Sequence, residues 1–305
     1  MTALGPELAP GSRTGAAAMQ SASLKGRSLW DDARRRLFRN KAAVTSLIVL
    51  GVLVLAAAFG PYLLHYSYDQ VNKDDVWKGP LSGAHIIGTD ALGRDLLARV
   101  LIGLRVSLAV GVVATAVSLV VGVIWGASAG YAGGKIDELM MRIVDILYSL
   151  PFIFFVILLM VTFGRNFILM FVAIGAVEWL TLSRIVRGQT LSLKQKEFVE
   201  AARAAGLSPS AIVGRHVVPN LLGPVVVYVT LTIPAVILAE SFLSFLGLGV
   251  QEPLTSLGTL LSDGARDMEL APWLLIFPAI VMVTTLMCFN FIGDGLRDAI
   301  DPKDR

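Results

Sequence analysis

Apolar residues in this chain come in long unbroken runs, not in the strict alternation of a half-buried strand. Six runs are long enough to cross a hydrocarbon layer of about 30 Å as helices: 43–64, 104–131, 142–163, 166–186, 217–247 and 271–294. Between the third and fourth lies only a short turn, Phe163 to Asn166. The pattern therefore predicts an all-α, polytopic membrane protein with six transmembrane helices. Small residues recur every fourth position in the second run, at Ala114, Ser118, Gly122, Gly126 and Gly130. Such a face lets a second helix approach closely, as expected of a tight bundle or a subunit interface.

Most charged residues fall in the gaps, and their signs give a direction. Lys and Arg number eight before residue 42, two in 131–142, six in 184–216 and three after 296, which is 19 of 26 on one side. Basic residues accumulate in cytoplasmic loops, so both termini are expected inside the cell. The expected layout is a largely disordered cytoplasmic tail over 1–42, a first span over 43–64 and an outer loop over 65–103. A transmembrane core over 104–296 follows, with a cytoplasmic loop at 187–218, and then a short cytoplasmic tail over 297–305. The cluster Arg34, Arg35, Arg36, Arg39 and Lys41 before the first span marks that span as an uncleaved anchor.

Composition agrees: 55% of residues are hydrophobic and 16% charged, where soluble chains carry about 25% charged. The formal charge of +3 is explained by cytoplasmic loops, and no nucleic-acid partner is expected. The one cysteine, Cys288, sits in an apolar run, and His65, His85 and His216 lack ligand spacing, so no metal site is expected. No phosphate-binding G-x-x-x-x-G-K-[ST] occurs, nor any nucleophile or metalloprotease motif, so the chain is not expected to be an enzyme or to hold ATP itself.

The inner loop is the most informative segment. Ser192 and Gln195 have capping-box spacing, opening a helix that Gly206 can close. Ser208 can cap a second short helix with Pro209 at its first position. On the first helix Phe198, Ala201, Ala202 and Ala205 fall on one face, a stripe mostly of methyl groups suited to a partner's groove. A passive helix pair on the membrane surface and a DNA-reading helix-turn-helix are the alternatives; direct continuity with spans on both sides leaves a recognition helix no freedom.

In the outer loop, Gly88, Thr89, Asp90 and Gly93, Arg94, Asp95 have the residue types of capped turns. Packing against the bundle is their structural reading, and contact with another protein the sharper one. Asp145, Glu178 and Glu240 interrupt apolar runs. Intramembrane carboxylates face a bundle interior or water. An intrahelical pair with Arg142 accounts for Asp145, while Glu178 and Glu240 are candidates for a pathway or an interface. A stand-alone ion-coupled carrier using Glu178 or Asp145 is a competing class.

Residues Glu200, Ala201, Ala202, Gly206 and Pro219 resemble the EAA loop of binding-protein-dependent ABC importer permeases. His216 stands where that pattern has an apolar residue. The likeness continues in 85–108, 183–200, 240–253 and 289–305, and is strongest to C-type permease subunits of the dipeptide and oligopeptide branch. It implies a heterodimer with a second homologous permease subunit, two cytoplasmic ABC ATPases that bind ATP and Mg, and an extracytoplasmic peptide-binding protein. The EAA helix would be the coupling helix, and the location the bacterial inner membrane. Dipeptides, murein peptides or metal chelates are alternative cargoes within the same resemblance.

Overall fold

The chain is described by a computed structural model over residues 29–164 and 167–300. Among the described residues no strand occurs, and beside one 3-10 turn at Lys73–Asp75 there are ten longer helices. They are α1 Leu29–Arg39, α2 Lys41–Leu63, α3 Leu96–Ala132, α4 Gly134–Ser149 and α5 Phe152–Phe163, followed by α6 Phe167–Leu193, α7 Glu197–Ala204, α8 Pro209–Phe245, α9 Leu257–Arg266 and α10 Trp273–Ile300.

Five helices are long and apolar enough to cross a membrane, and the bent pair α4–α5 makes a sixth crossing when taken as one. The expectation of six spans holds in that form, with three corrections to the boundaries. The second span starts at Leu96, not 104, because Asp95 caps it by accepting from Ala98 N at 2.9 Å. The third is not one straight helix over 142–163. It starts at Gly134 and bends by 83° at the 150–151 break. Pro151 supplies the cause, since the residue before proline is pushed to extended backbone, and Leu150 has φ −74°, ψ 130°. The fourth runs on to Leu193, past the expected end at 186.

Around α3 the bundle is organised. Its small-residue stripe is buried against α6: a Cβ on Gly126 would lie 2.4 Å from the Ser183 carbonyl oxygen, and one on Gly122 would lie 2.9 Å from Leu182 Cβ. The stripe thus serves the bundle of this chain rather than a subunit interface, because backbones this close leave no room for a methyl group. Three apolar clusters stack along the axis. The first joins α3 (Val110, Ala114), α5 (Val156, Met160), α6 (Ile174) and α8 (Val236). A second joins α2, α3, α9 and α10 through Ala57, Leu104, Leu257 and Met282. The third, at the far end of α3 and α6, takes in Val199 and Ala202 of α7.

Charged pairs correct another expectation. Asp145 does not pair with Arg142 one turn back; it accepts from Arg184 of α6 at 2.8 Å, and Arg187 clamps Asp137 through two bonds of 2.6 Å. Both ties fasten α4 to α6. A third polar contact repairs a broken helix. Pro61 in α2 has no N–H to give the carbonyl four residues back, and Arg105 of α3 donates to the carbonyl oxygens of Ala57 (2.9 Å) and Ala58 (2.8 Å).

Both described chain ends lie at one end of the bundle. A Cβ on Gly295 would meet Ala43 and Leu37, and one on Gly223 would meet Ile300. We call this the terminal end; α7 belongs to it. Segments 64–95 and 246–272 meet at the opposite, loop end, where the Trp273 indole donates to the Thr89 carbonyl. The expected tail over 1–42 is helical from Leu29 onward, with Arg36 and Arg39 in its last turn where the helix dipole favours cations; residues 1–28 and 301–305 lie outside the described residues.

Candidate functional site

At the terminal end, α7 is an eight-residue helix set between two long helices. Its start differs from the expected capping box. Ser192 is still inside α6, where its hydroxyl donates to the Gly188 carbonyl at 3.3 Å, and α7 begins after Lys196 with no side-chain cap. Its end follows the expectation. Gly206 has φ +79°, its N–H bonds the Arg203 carbonyl at 3.0 Å, and Leu207 N–H bonds the Ala202 carbonyl at 3.2 Å. This is the paired closure of a Schellman motif, which needs the left-handed backbone that glycine adopts freely. Ser208 then caps the next helix, with Pro209 at its start. That helix is not a separate short piece: it continues as α8 through a widened π turn at Val213–Val217. Pro219 follows the widened turn, which carries the helix past a residue with no N–H to offer.

The faces of α7 divide differently from the expected four-residue stripe. Ala202 turns inward with Val199, both buried against Ile212, Val217 and Leu221 of α8. Phe198, Glu200, Ala201, Ala205 and Gly206 are exposed on the outside. One face is fixed to the bundle, and the other presents Phe198, Ala201 and Ala205 between Glu197, Glu200 and Arg203.

At the loop end, the turn residues are wired together. The Asp90 carboxylate accepts from Leu92 N and Arg94 N at 2.9 Å, from Arg94 Nε at 2.7 Å, and from the Arg99 guanidinium. Burial alone would raise the Asp90 carboxyl, but Arg99, together with the bonds from Arg94, holds it below the usual carboxylate range. Arg94 reaches on to Glu252 at 2.8 Å, and Arg99 lies 4.0 Å from Asp263. Asp95 caps α3 with one oxygen and meets His85 Nδ1 at 2.9 Å with the other; His85 also faces Asp75 and stacks on Tyr66. The Thr89 hydroxyl donates to the Asp75 carbonyl and accepts from Lys78 N at 2.9 Å. Gly88 and Gly93 have φ of +94° and +70°, and a Cβ on Gly93 would lie 1.8 Å from the Asn72 carbonyl oxygen. All six turn residues are therefore engaged within the chain.

Glu240 is fully buried. Hydroxyls of Ser244 (2.8 Å), Ser256 (2.6 Å) and Ser107 (3.3 Å) donate to it, and Ser107 in turn accepts from Leu257 N at 3.0 Å. The expected pathway or interface position is thus corrected to an internal knot tying α8 to α3 and the start of α9. Glu178 is different. It lines a cavity of about 600 Å³ with Tyr148, Pro151, Phe155 and Trp179, where the α4–α5 bend faces α6.

Glu252, Asp263, His85 and the three serines were not singled out from sequence. A signal existed for the acids. Arg94 and Arg99 lie on the side where basic residues are scarce, and Glu252 and Asp263 are carboxylates in the only long polar segment sharing that side. Nothing in the spacing marked the serines around Glu240.

Comparison with known proteins bears on this geometry. The model of the family "Binding-protein-dependent transport system inner membrane component" matches residues 96–305, starting at the first residue of α3. A second model, "N-terminal TM domain of oligopeptide transport permease C", matches residues 28–80. The chain is 57% identical to the oligopeptide transport system permease protein OppC of Haemophilus influenzae, covering 94% of this chain and 93% of that one. It is 59% identical to the protein of the same name from Escherichia coli K12 (92% and 94% covered). To the dipeptide transport system permease protein DppC of Bacillus subtilis it is 44% identical, with 91% and 87% covered. Among solved structures, an inward-facing MetNI methionine ABC transporter matches with a TM-score of 0.56 at 21% identity, over 68% of this chain and 96% of that chain, a likeness of fold.

Proposed function

From the premise that the chain belongs to the family of binding-protein-dependent transport system inner membrane components, as a multi-pass protein of the bacterial inner membrane, we propose that it is one permease subunit of an ATP-driven oligopeptide importer. It forms half of the path and hydrolyses nothing itself. A second, homologous permease completes the membrane unit, two ABC ATPases at the cytoplasmic face bind ATP and Mg, and an extracytoplasmic binding protein delivers the peptide. Oligopeptide cargo is supported by the 57% and 59% identity to two oligopeptide permeases over nearly their whole length.

One observation carries the mechanical part. The helix α7 is bolted to α8 by Val199 and Ala202 and leaves Phe198, Ala201 and Ala205 uncovered beside Glu200 and Arg203. A methyl-rich outer face admits close approach by another protein, and the buried inner face passes that protein's movement to α6 and α8. The ATPases supply energy by binding the two conformations of the permease pair unequally, the only way a bound partner shifts such an equilibrium. Gly206 and Pro219 set where the element ends and where α8 resumes.

Glu200→Lys tests this reading. The variant inserts normally, and the expected result is loss of ATPase from the purified complex and of peptide uptake in cells. Gly206→Leu has the same expected outcome, with a local strain of about 1–2 kcal/mol from forcing a Cβ into left-handed backbone. Undiminished uptake by both variants would overturn the coupling role. Peptide transport by this chain alone in proteoliposomes would overturn the subunit reading.

A further inference from the structure

Beside α7, the terminal end of the bundle carries a groove of about 880 Å³ that shares only Arg203 with the proposed coupling face. Its floor is apolar: Ile124 and Ala127 of α3 face Val213 and Val218 of α8. The groove opens sideways, toward the surface that the apolar exterior assigns to lipid, since Ile124 is 63% and Ile136 60% exposed. Its mouth has the opposite character. Lys194 Nζ lies 5.5 Å and the Arg203 guanidinium 6.0 Å from the centre of the same Tyr131 ring. No Asp or Glu lines the groove, and among the described residues no carboxylate is paired with either cation.

We propose that this groove binds an anionic phospholipid, with acyl chain along α3 and α8 and phosphate between Lys194 and Arg203. The chemistry is matched at both ends. Two cations converging on one ring without an acid leave a positive field that a phosphate monoanion offsets in part, and basic pockets at the cytoplasmic ends of membrane helices are where acidic headgroups bind. Tyr131 stands at the level where aromatic side chains mark the membrane interface. Because Arg203 belongs to α7, the lipid bridges the short helix to the end of α3. Cytoplasmic-leaflet placement rests on the sidedness proposed above; the lipid contact itself does not.

The test uses the full chain with its partner subunits in nanodiscs of phosphatidylcholine with one quarter phosphatidylglycerol. Native mass spectrometry reads the phosphatidylglycerol retained after delipidation, a readout independent of transport. Wild type is expected to retain it. Each basic residue near an anionic surface contributes about fivefold, so Lys194→Gln with Arg203→Gln is expected to weaken retention roughly 25-fold. Gly214→Leu lines the groove without changing charge, and a Cβ there meets nothing within 4 Å, so it is expected to displace the acyl chain in a folded protein. Arg39→Gln, at the same end but away from the groove, is expected to retain phosphatidylglycerol as wild type does. Equal retention by wild type, the double variant and Gly214→Leu would overturn the proposal. So would efficient disulfide cross-linking of a cysteine at Ser210 to the sister permease in the same nanodiscs, which would make the groove a protein interface.

Discussion

Asp90 shows how much one side chain organises at the loop end. It satisfies two backbone N–H groups and two guanidinium groups at once. Its depressed pKa fixes the sign of a pH effect. A carboxylate held below its unfolded value of 3.8 contributes stability that is complete above that value and disappears as pH falls through the lower folded value. The thermal midpoint in detergent is expected to drop on acidification below about pH 4. Asp90→Asn is expected to lower the midpoint at pH 7 and to flatten the acid limb; an unchanged acid limb would show that other carboxylates set it. The turn was legible from its glycines and Asp caps, since φ above zero and Asx geometry are local demands. The ion pairs to Glu252 and Asp263 were not, because they join positions more than 150 residues apart. Glu240 was legible as a buried acid and misread as a pathway candidate, since hydroxyl donors at Ser107, Ser244 and Ser256 carry no periodic signature.

Among elements, the apolar runs identified every long helix, and the errors fell at their ends. Hydropathy marks where a helix enters lipid, while capping marks where it starts. Asp95 therefore opens α3 eight residues before the expected span boundary at 104. The third span was read as one helix over 142–163, and the 83° bend falls at the break where Pro151 holds Leu150 in extended backbone. Ser192 and Gln195 had the right spacing for a cap, but α6 runs on through Ser192 to Leu193 and Gln195 falls in the turn before α7. The Pro61–Arg105 repair gives a prediction at this scale. Arg105→Leu leaves the Ala57 carbonyl, at a buried residue, without its donor and is expected to cost about 1–3 kcal/mol in unfolding experiments. With Pro61→Ala the helix regains its own N–H. The double variant is therefore expected to lose less than the sum of the two singles. Strict additivity in that cycle would show that Arg105 does not serve the broken helix.

For the whole molecule, the charge count anticipated that both ends would share a side, and the contacts of Gly295 with Ala43 and of Gly223 with Ile300 place the described ends together. Which side faces the cytoplasm is open to direct measurement. In a background with the buried Cys288 replaced, a cysteine at Ala91 is expected to react with an impermeant maleimide in intact spheroplasts. One at Ala205 is expected to react only after permeabilisation; the reverse pattern would invert the topology. The small-residue stripe on α3 was legible as a packing face, yet its partner, α6 of the same chain, was not, because close approach is encoded on one helix and says nothing of the other's identity.

The ties from Arg94 to Glu252 and from Arg99 toward Asp263 have a dynamic consequence. They rivet the segment after α2 and the first turn of α3 to the segment before α10, so stretches far apart in the chain are held together at the loop end. An extremity fastened that way behaves as one piece. Any rearrangement of the bundle then carries the two outer segments along together instead of parting them.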